Sequence, residues 1–293
     1  MSIATALIGV DWGSSNLRVF RMAEGGAVLG RRDDGRGAST LAPDRFADVL
    51  TEVASDWLDE DLPVVVCGMA GARGRWLEAP YAPCPAGLAD LAGYVVRPAD
   101  SPEVHILPGV AVWRDGMLDD VMRGEETQLF GLGGGFDRVI APGTHSKWAR
   151  MDGDRISDFR THMTGEMFAA IGGAPSFLGG AAGTDREAFT AGVLAGLEDA
   201  PLGRSLFSAR VGMLAGRVAP SGLQDYLSGL LIGAEISGEA REGLEGRIAL
   251  LGAPALAERY RSALALAGLE DVVVADVEAA TAAGLWRAWE TMR

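Results

Sequence analysis

The sequence predicts an α/β protein made of two similar domains facing each other across a cleft. Three observations carry that prediction: apolar, strand-like runs that end in glycine-rich turns before helical segments, one hairpin pattern that occurs twice, and a length of 293 residues, longer than one hydrophobic core usually organises. The first hairpin is Leu7-Ile8-Gly9-Val10-Asp11-Trp12-Gly13-Ser14-Ser15-Asn16-Leu17-Arg18-Val19-Phe20, a buried strand, a small polar turn and a second strand. Ala6 to Val10 suits a central strand, and Asp11 falls where that strand runs out. Gly13, Ser14, Ser15 and Asn16 carry little bulk, so a polyphosphate can approach their backbone N–H groups and side chains. Asp11 would repel such a ligand unless a hydrated divalent cation, Mg2+ with its own waters, stands between them.

Ala27 to Gly30 reads as a third strand, and Asp44 caps a helix with Phe46, Val49, Leu50, Val53 and Trp57 at helical spacing. Pro63 to Cys67 is a β-branched strand that runs into Gly68-Met69-Ala70-Gly71, and Val104 to Leu107 is another that runs into Pro108-Gly109. Gly124 precedes a short helix from Glu125 to Leu132. Gly133-Gly134-Gly135 ends that helix and marks a seam between a domain of residues 1–135 and one of residues 136–293. Just past the seam the hairpin returns: Arg138 to Ala141 is a strand, Pro142-Gly143-Thr144-His145-Ser146 a small polar turn, and Lys147 to Met151 a second strand. Asp152-Gly153 then turns the chain into Arg155-Ile156. Arg247 to Leu251 is a strand, Gly252-Ala253-Pro254 a tight turn, and Ala255 to Ala267 a helix with Pro254 at its first position. Such a turn lets a ribose or base lie against Gly252 and Ala253, with the helix N-terminus facing an anion. Val272 to Asp276 forms a last strand, and Val277 to Met292 a helix whose run Ala279 to Gly284 is small enough for close packing.

Charge narrows the function classes. Against 40 acidic residues stand 26 basic ones, a net charge of −14. That balance argues against nucleic acid or an anionic membrane as partner, and a small anionic substrate needs a local cationic pocket. Cys67 and Cys84 form no C-x-x-C pair and no secretory leader is legible, so a reduced, cytoplasmic protein is expected. The longest apolar stretch, Leu227 to Ile236, is broken by Gly229, Gly233 and Glu235 and reads as a buried or amphipathic helix, not a membrane span. No Walker A run or G-x-S-x-G run occurs, and the spacing of His105, His145 and His162 matches no zinc motif.

Taken together, Asp11 to Arg18, Met122-Arg123-Gly124-Glu125-Glu126-Thr127-Gln128-Leu129, Pro142 to Trp148, Asp158-Phe159-Arg160-Thr161-His162-Met163-Thr164-Gly165-Glu166 and Leu227 to Glu235 resemble the bacterial 2-dehydro-3-deoxygalactonokinase family, within the sugar kinase, hsp70 and actin superfamily. That resemblance implies two ribonuclease H-like domains with ATP and Mg2+ between them, and a last helix that returns to the first domain. It implies that Asp11, Gly13, Ser14, Ser15, Asn16, Gly143, Thr144 and His145 hold the phosphates and metal, with Gly252 and Ala253 at the adenosine. The adenosine turn lacks the Gly-Gly pair common in the superfamily. The catalytic aspartate usual in this group is replaced by Glu125 and Glu126.

The implied reaction phosphorylates the terminal hydroxyl of a 2-keto-3-deoxy sugar acid, with ATP as donor. Such transfer asks for positioning, charge neutralisation and a carboxylate at the acceptor hydroxyl. Adjacent helical residues point about 100° apart, so only one of the two glutamates faces the acceptor squarely; we favour Glu126, because Glu125 suits the helix N-terminus. The acceptor's own carboxylate calls for a guanidinium, Arg73 or Arg160, and Trp76 suits its carbon skeleton. Lys147 and Arg18 follow the two turns and are further phosphate candidates. The exposed faces of Asp225 to Glu239 and Ala255 to Ala267 offer surfaces for a homodimer. Other readings share the fold: a kinase of another sugar acid or sugar, a sugar or nucleotide sensor without catalysis, and a phosphatase, which the acidic balance disfavours.

Overall fold

Leu7–Trp12 forms β1 and is buried at every position, which suits the centre of a sheet. In this computed structural model, which describes residues 3–58, 62–174, 177, 185–198 and 200–293, the chain continues through β2 (Leu17–Met22), β3 (Val28–Asp34), α1 (Phe46–Ala54), β4 (Val64–Gly68), β5 (Tyr81–Pro83) and α2 (Leu88–Ala92). It goes on to β6 (Val104–Ile106), β7 (Gly109–Arg114), β8 (Met117–Met122) and α3 (Glu125–Leu132). Then come β9 (Arg138–Ala141), β10 (Ser146–Asp152), β11 (Arg155–His162), α4 (Thr164–Gly172), α5 (Arg186–Leu197) and α6 (Leu202–Leu214). The last elements are α7 (Leu223–Ala240), β12 (Ile248–Leu251), α8 (Pro254–Leu266), β13 (Val272–Ala275) and α9 (Val277–Met292).

Two five-stranded sheets have corresponding orders, β3-β2-β1-β4-β6 and β11-β10-β9-β12-β13. In the first, β1 pairs antiparallel with β2 and parallel with β4; in the second, β12 pairs parallel with both β9 and β13. The chain divides into one unit of Met1–Gly135, Ala149–Phe159 and Asp276–Arg293 and another of Phe136–Trp148 and Arg160–Ala275. This division cuts through β10 and β11, where the sequence shows no break.

In the first unit, the alternation of a strand sends Ile8, Val10 and Trp12 to one face of β1, where they meet Phe46, Val49 and Leu50 of α1. Leu7 lies on the other face with Phe20, Val65, Leu285 and Trp286. By the same alternation Asp11 and Cys67 belong to that second face, the side of α9. In the second unit Ile140, Trp148, Ile248 and Leu250 pack against Phe189, Val193, Ile232, Ile236 and Tyr260 from α5, α7 and α8.

Several expectations need correcting. Asp44 lies in a short 3-10 turn, Pro43–Arg45, and α1 begins with Arg45 at its N-cap and no side-chain cap bond. The fixed φ of Pro43 starts the tight turn and leaves Asp44 too early to cap. A third sheet, β5-β7-β8, was not anticipated, because the acidic run Met117-Leu118-Asp119-Asp120 lacks strand alternation. Helices α4, α5 and α6 were not anticipated either. The face of α7 proposed for subunit pairing is not exposed: Asp225, Glu235 and Glu239 are buried, so α7 is a central helix of its unit.

Candidate active site

In the first unit, the ends of β1 and β4 meet the start of α3. Asp11, near the end of β1, is cross-strand from Arg18 and level with Cys67 of parallel β4. Arg18 Nη1 donates to Asp11 Oδ2 at 2.9 Å, and the Cys67 thiol lies 3.9 Å from Oδ1. Burial raises the Asp11 pKa, and the charge and hydrogen bond of Arg18 oppose that rise. The turn after β1 is held from behind: Ala38 and Ser39 donate their N–H groups to the carbonyls of Gly13 and Ser14 at 2.9 and 3.0 Å. Ser14, Ser15 and Asn16 are exposed on this turn.

Glu126 sits in the first turn of α3 and has no exposed surface. Its Oε2 accepts from Gly124 N at 2.6 Å and its Oε1 from the Thr127 hydroxyl at 3.1 Å. Burial, and then the neighbouring charge of Glu125, push its pKa up to about 8. Glu125 is half-buried and accepts from Arg123 N at 3.2 Å. Burial first, then the charges of Asp11 and Glu126, push the Cys67 thiol well above its ordinary pKa. Gly124 has φ of 108°, and a Cβ there would meet Gly68 Cα at 3.2 Å, so a glycine is needed where α3 starts against the end of β4.

The second unit holds the turn of the second hairpin beside a cavity of about 320 Å3. Its lining is Gly143, Thr164, Gly165 and Phe168 near the hairpin and start of α4, with Ser228, Leu231 and Ile232 of α7 and Ala255, Leu256, Arg259 and Tyr260 of α8. Glu166 N donates to Thr144 O at 3.0 Å, and a Cβ on Gly165 would lie 2.8 Å from Thr144 Cα, so α4 begins directly against the turn. His145 Nε2 meets Glu166 Oε2 at 2.8 Å. Beneath the cavity, the buried Glu235 carboxylate accepts from Trp148 Nε1, from the Thr164 hydroxyl and, at 2.8 Å, from Tyr260 OH. Ser146 Oγ joins Tyr260 OH at 2.8 Å. This network ties β10, α4, α7 and α8 to one anion, and three donors offset the cost of burying it.

Of the residues singled out from sequence, the first unit brings Asp11 and the Glu125–Glu126 pair to one locality around Cys67, and the second brings Gly143 to the cavity that α8 borders. Gly252, half-buried, and Ala253, the N-cap of α8, are where the turn was expected, and Pro254 occupies its first turn. Arg73 is 88% exposed and pairs with Glu78 at 3.2 Å. Trp76 stacks on Phe46 with ring centroids 5.8 Å apart, part of the packing around α1. Arg160 pairs with Glu242 at 3.1 Å in the second unit. Arg18 holds Asp11, and Lys147 is buried. Sequence reasoning missed Glu235, Tyr260, Asp225 and Arg259; the available signal was an acid inside the apolar run Leu227 to Ile236, which only a specific partner set explains.

The residues present fit a magnesium nucleotide. The cavity is within the roughly 300–1,000 Å3 of small-molecule sites, apolar along α7 and α8 and edged by a glycine turn. Among the described residues no cluster of three His, Cys, Asp or Glu side chains is set to hold a metal. A single carboxylate such as Asp11 suits an ion that keeps its waters and arrives with phosphates.

A glycine-turned hairpin on each of two sheets with one strand order defines the class: this is the sugar kinase, hsp70 and actin fold. Component A of the (R)-2-hydroxyglutaryl-CoA dehydratase of Acidaminococcus fermentans shares it at a TM-score of 0.54, with 12% identity over 99% of this chain and 100% of that one. Residues 11–288 match the family described as 2-keto-3-deoxy-galactonokinase, and the chain belongs to that family. The 2-dehydro-3-deoxygalactonokinase of Escherichia coli (strain K12) is 36% identical, covering 92% of each chain. A crystal structure of a Sinorhizobium meliloti protein assigned as a 2-dehydro-3-deoxygalactonokinase matches at a TM-score of 0.87 and 40% identity, covering 96% of this chain and 97% of that one.

Proposed function

We propose that this protein is an ATP-dependent kinase that phosphorylates the terminal, 6-hydroxyl of 2-dehydro-3-deoxy-D-galactonate. Membership of the family across residues 11–288 carries the reading. The buried carboxylate at the start of α3 supports it, because a base tuned toward neutrality is what an alcohol acceptor requires. Magnesium-bound ATP supplies the phosphoryl group and, through the ion, neutralises charge on its phosphates.

The chain's residues divide the remaining work. Gly13 to Asn16 and Gly143 to His145 would hold the phosphate oxygens, Asp11 would hold the hydrated ion, and Gly252 and Ala253 would border the adenosine. The Glu125–Glu126 pair takes the proton of the acceptor hydroxyl. Glu126 is the member whose pKa of about 8 matches that task. For the acceptor's carboxylate the candidates are Arg73 and Arg160, each of which already binds a glutamate, with Trp76 beside the carbon skeleton. The place of action is the cytoplasm, in keeping with two free cysteines; among the described residues no helix is long and apolar enough to cross a membrane.

A coupled ADP-release assay with Mg-ATP tests this, run over 2-keto-3-deoxy acids, aldonates and neutral hexoses. Turnover is expected with the galactonate-derived keto acid, and its absence with every acceptor would sink the kinase reading. Glu126→Gln is expected to lower kcat by roughly 10²–10⁴ with ATP binding intact. Near-normal turnover in both Glu125→Gln and Glu126→Gln would remove the pair from the chemistry.

A further inference from the structure

The buried network around Glu235 grips the second glycine turn from both sides. Ser146, the first residue of β10, follows directly on Pro142 to His145, and its hydroxyl meets Tyr260 OH at 2.8 Å. Tyr260 OH has one proton, and that proton is spent on the Glu235 carboxylate, which only accepts. Ser146 Oγ is therefore the donor to Tyr260, and the bonds run one way, from the end of the turn through α8 to α7. Burial pushes the Tyr260 hydroxyl well above its ordinary pKa, which keeps the proton there. On the turn's other side, the Thr164 hydroxyl donates to the same Glu235 oxygen, while a Cβ on neighbouring Gly165 would overlap Gly143 O. Ser146, Thr164, Glu235 and Tyr260 are each 5% exposed or less, so they act on a ligand only through the backbone they hold. Burying four polar side chains costs desolvation that apolar packing would avoid; what a satisfied network adds is one fixed geometry.

We propose that Ser146 and Tyr260 are positioning residues for phosphate binding, the Ser146–Tyr260–Glu235 relay holding the second turn in the shape that receives the nucleotide's phosphates. The inference rests on the kinase reading above and extends it to residues that touch no substrate. Two features favour it. The turn has little support of its own at Gly143, where a Cβ would find nothing nearer than His145 O at 4.0 Å, so its shape is imposed from the flanks. Both flanks, Ser146 and Thr164, lead to Glu235, and the Gly143 side of the turn opens on the cavity. Backbone N–H groups bind an anion well only when they already converge on it, and a relay that fixes them in advance lowers the ordering cost of binding.

The test is titration calorimetry of Mg-ATP and of adenosine, which lacks the phosphates, on the wild type, Ser146→Ala, Tyr260→Phe and the double variant, with unfolding free energies measured alongside. Tyr260→Phe strands the buried Ser146 hydroxyl, whereas Ser146→Ala/Tyr260→Phe removes both ends of that bond and is expected to be the more stable of the two. All three variants are expected to bind Mg-ATP about three- to ten-fold more weakly, by one common factor because they break one bond, and to bind adenosine as the wild type does. A purely structural role gives another pattern, with Mg-ATP affinity returning as stability returns in the double variant. In turnover the loss is expected in KM for ATP, with kcat largely kept. Wild-type Mg-ATP affinity in the double variant overturns the proposal, as do an equal loss toward adenosine, a loss confined to kcat, or a wild type that binds adenosine as tightly as Mg-ATP. Failure of the kinase reading has a different signature: phosphate binding that responds to the variants as expected, in a wild type that turns over no acceptor.

Discussion

At Glu126 a carboxyl group is enclosed by protein, and its pKa of about 8 follows from lost hydration and then from the charge of Glu125. At neutral pH most of it is protonated, and the basic form grows as pH rises toward 8. We therefore expect kcat/KM to climb with pH and level off above an apparent pKa near 8, and Glu126→Gln to flatten that limb; a pH–rate profile measures both. The same displacement has a stability consequence. Because the folded value lies above the ordinary 4.5, this group's contribution to stability is complete below 4.5 and is lost as pH rises through about 8. Denaturant midpoints across that window should fall more in the wild type than in Glu126→Gln. In the sequence, Glu126 was visible as one of two acids at a helix start, but its burial was not, since that depends on β4 and Cys67, which lie far away along the chain.

The seat of Glu126 is an element-scale property. Helix α3 crosses α9 at glycines: a Cβ on Gly131 would overlap Ala280 O, and one on Gly284 would overlap Thr127 O. Arg287 Nη1 then donates to Phe130 O at 2.7 Å. The small-residue run Ala279 to Gly284 announced close packing, and α9 begins and ends where the sequence placed it. Its partner was not legible, because a glycine in α3 looks like a helix weakness until the facing backbone is known. Gly131→Ala is expected to destabilise the protein by about 1–3 kcal/mol by overpacking, read from chemical denaturation. Helices α5 and α7 repeat the device, with Gly192 and Gly196 set against the backbone of α7 and Gly229 and Gly233 against that of α5. The two glycines that interrupted Leu227 to Ile236 are therefore contact points, and Glu235 between strand and helices is the anion that holds the cavity wall.

For the whole molecule, the duplicated hairpin was the most legible feature, since glycine and serine between apolar strands can be read locally. The matching order of two five-stranded sheets extends that repetition beyond the turns. The β5-β7-β8 sheet escaped because its strands are short or acidic, and the helices α4 to α6 because their apolar residues are spread by small ones. If nucleotide seats in the second unit, its binding free energy adds to stability there. We expect Mg-ATP to slow hydrogen exchange in α4, α7 and α8, while β7 and β8 are unaffected, and to raise the unfolding free energy by about 2.7 kcal/mol at a hundred times Kd. Equal protection everywhere, or none, would count against seating in that cavity.

Arg287 and Phe130 are separated by 157 positions, and Asp276–Arg293 belongs to the unit that begins the chain. During synthesis on the ribosome, α3 emerges long before the helix that covers it. The nascent first unit must then wait with its α9-facing side uncovered while the whole second unit is translated. The packing of α3 on α9, next to the candidate catalytic carboxylate, is thus completed only once residues 276–293 have been made.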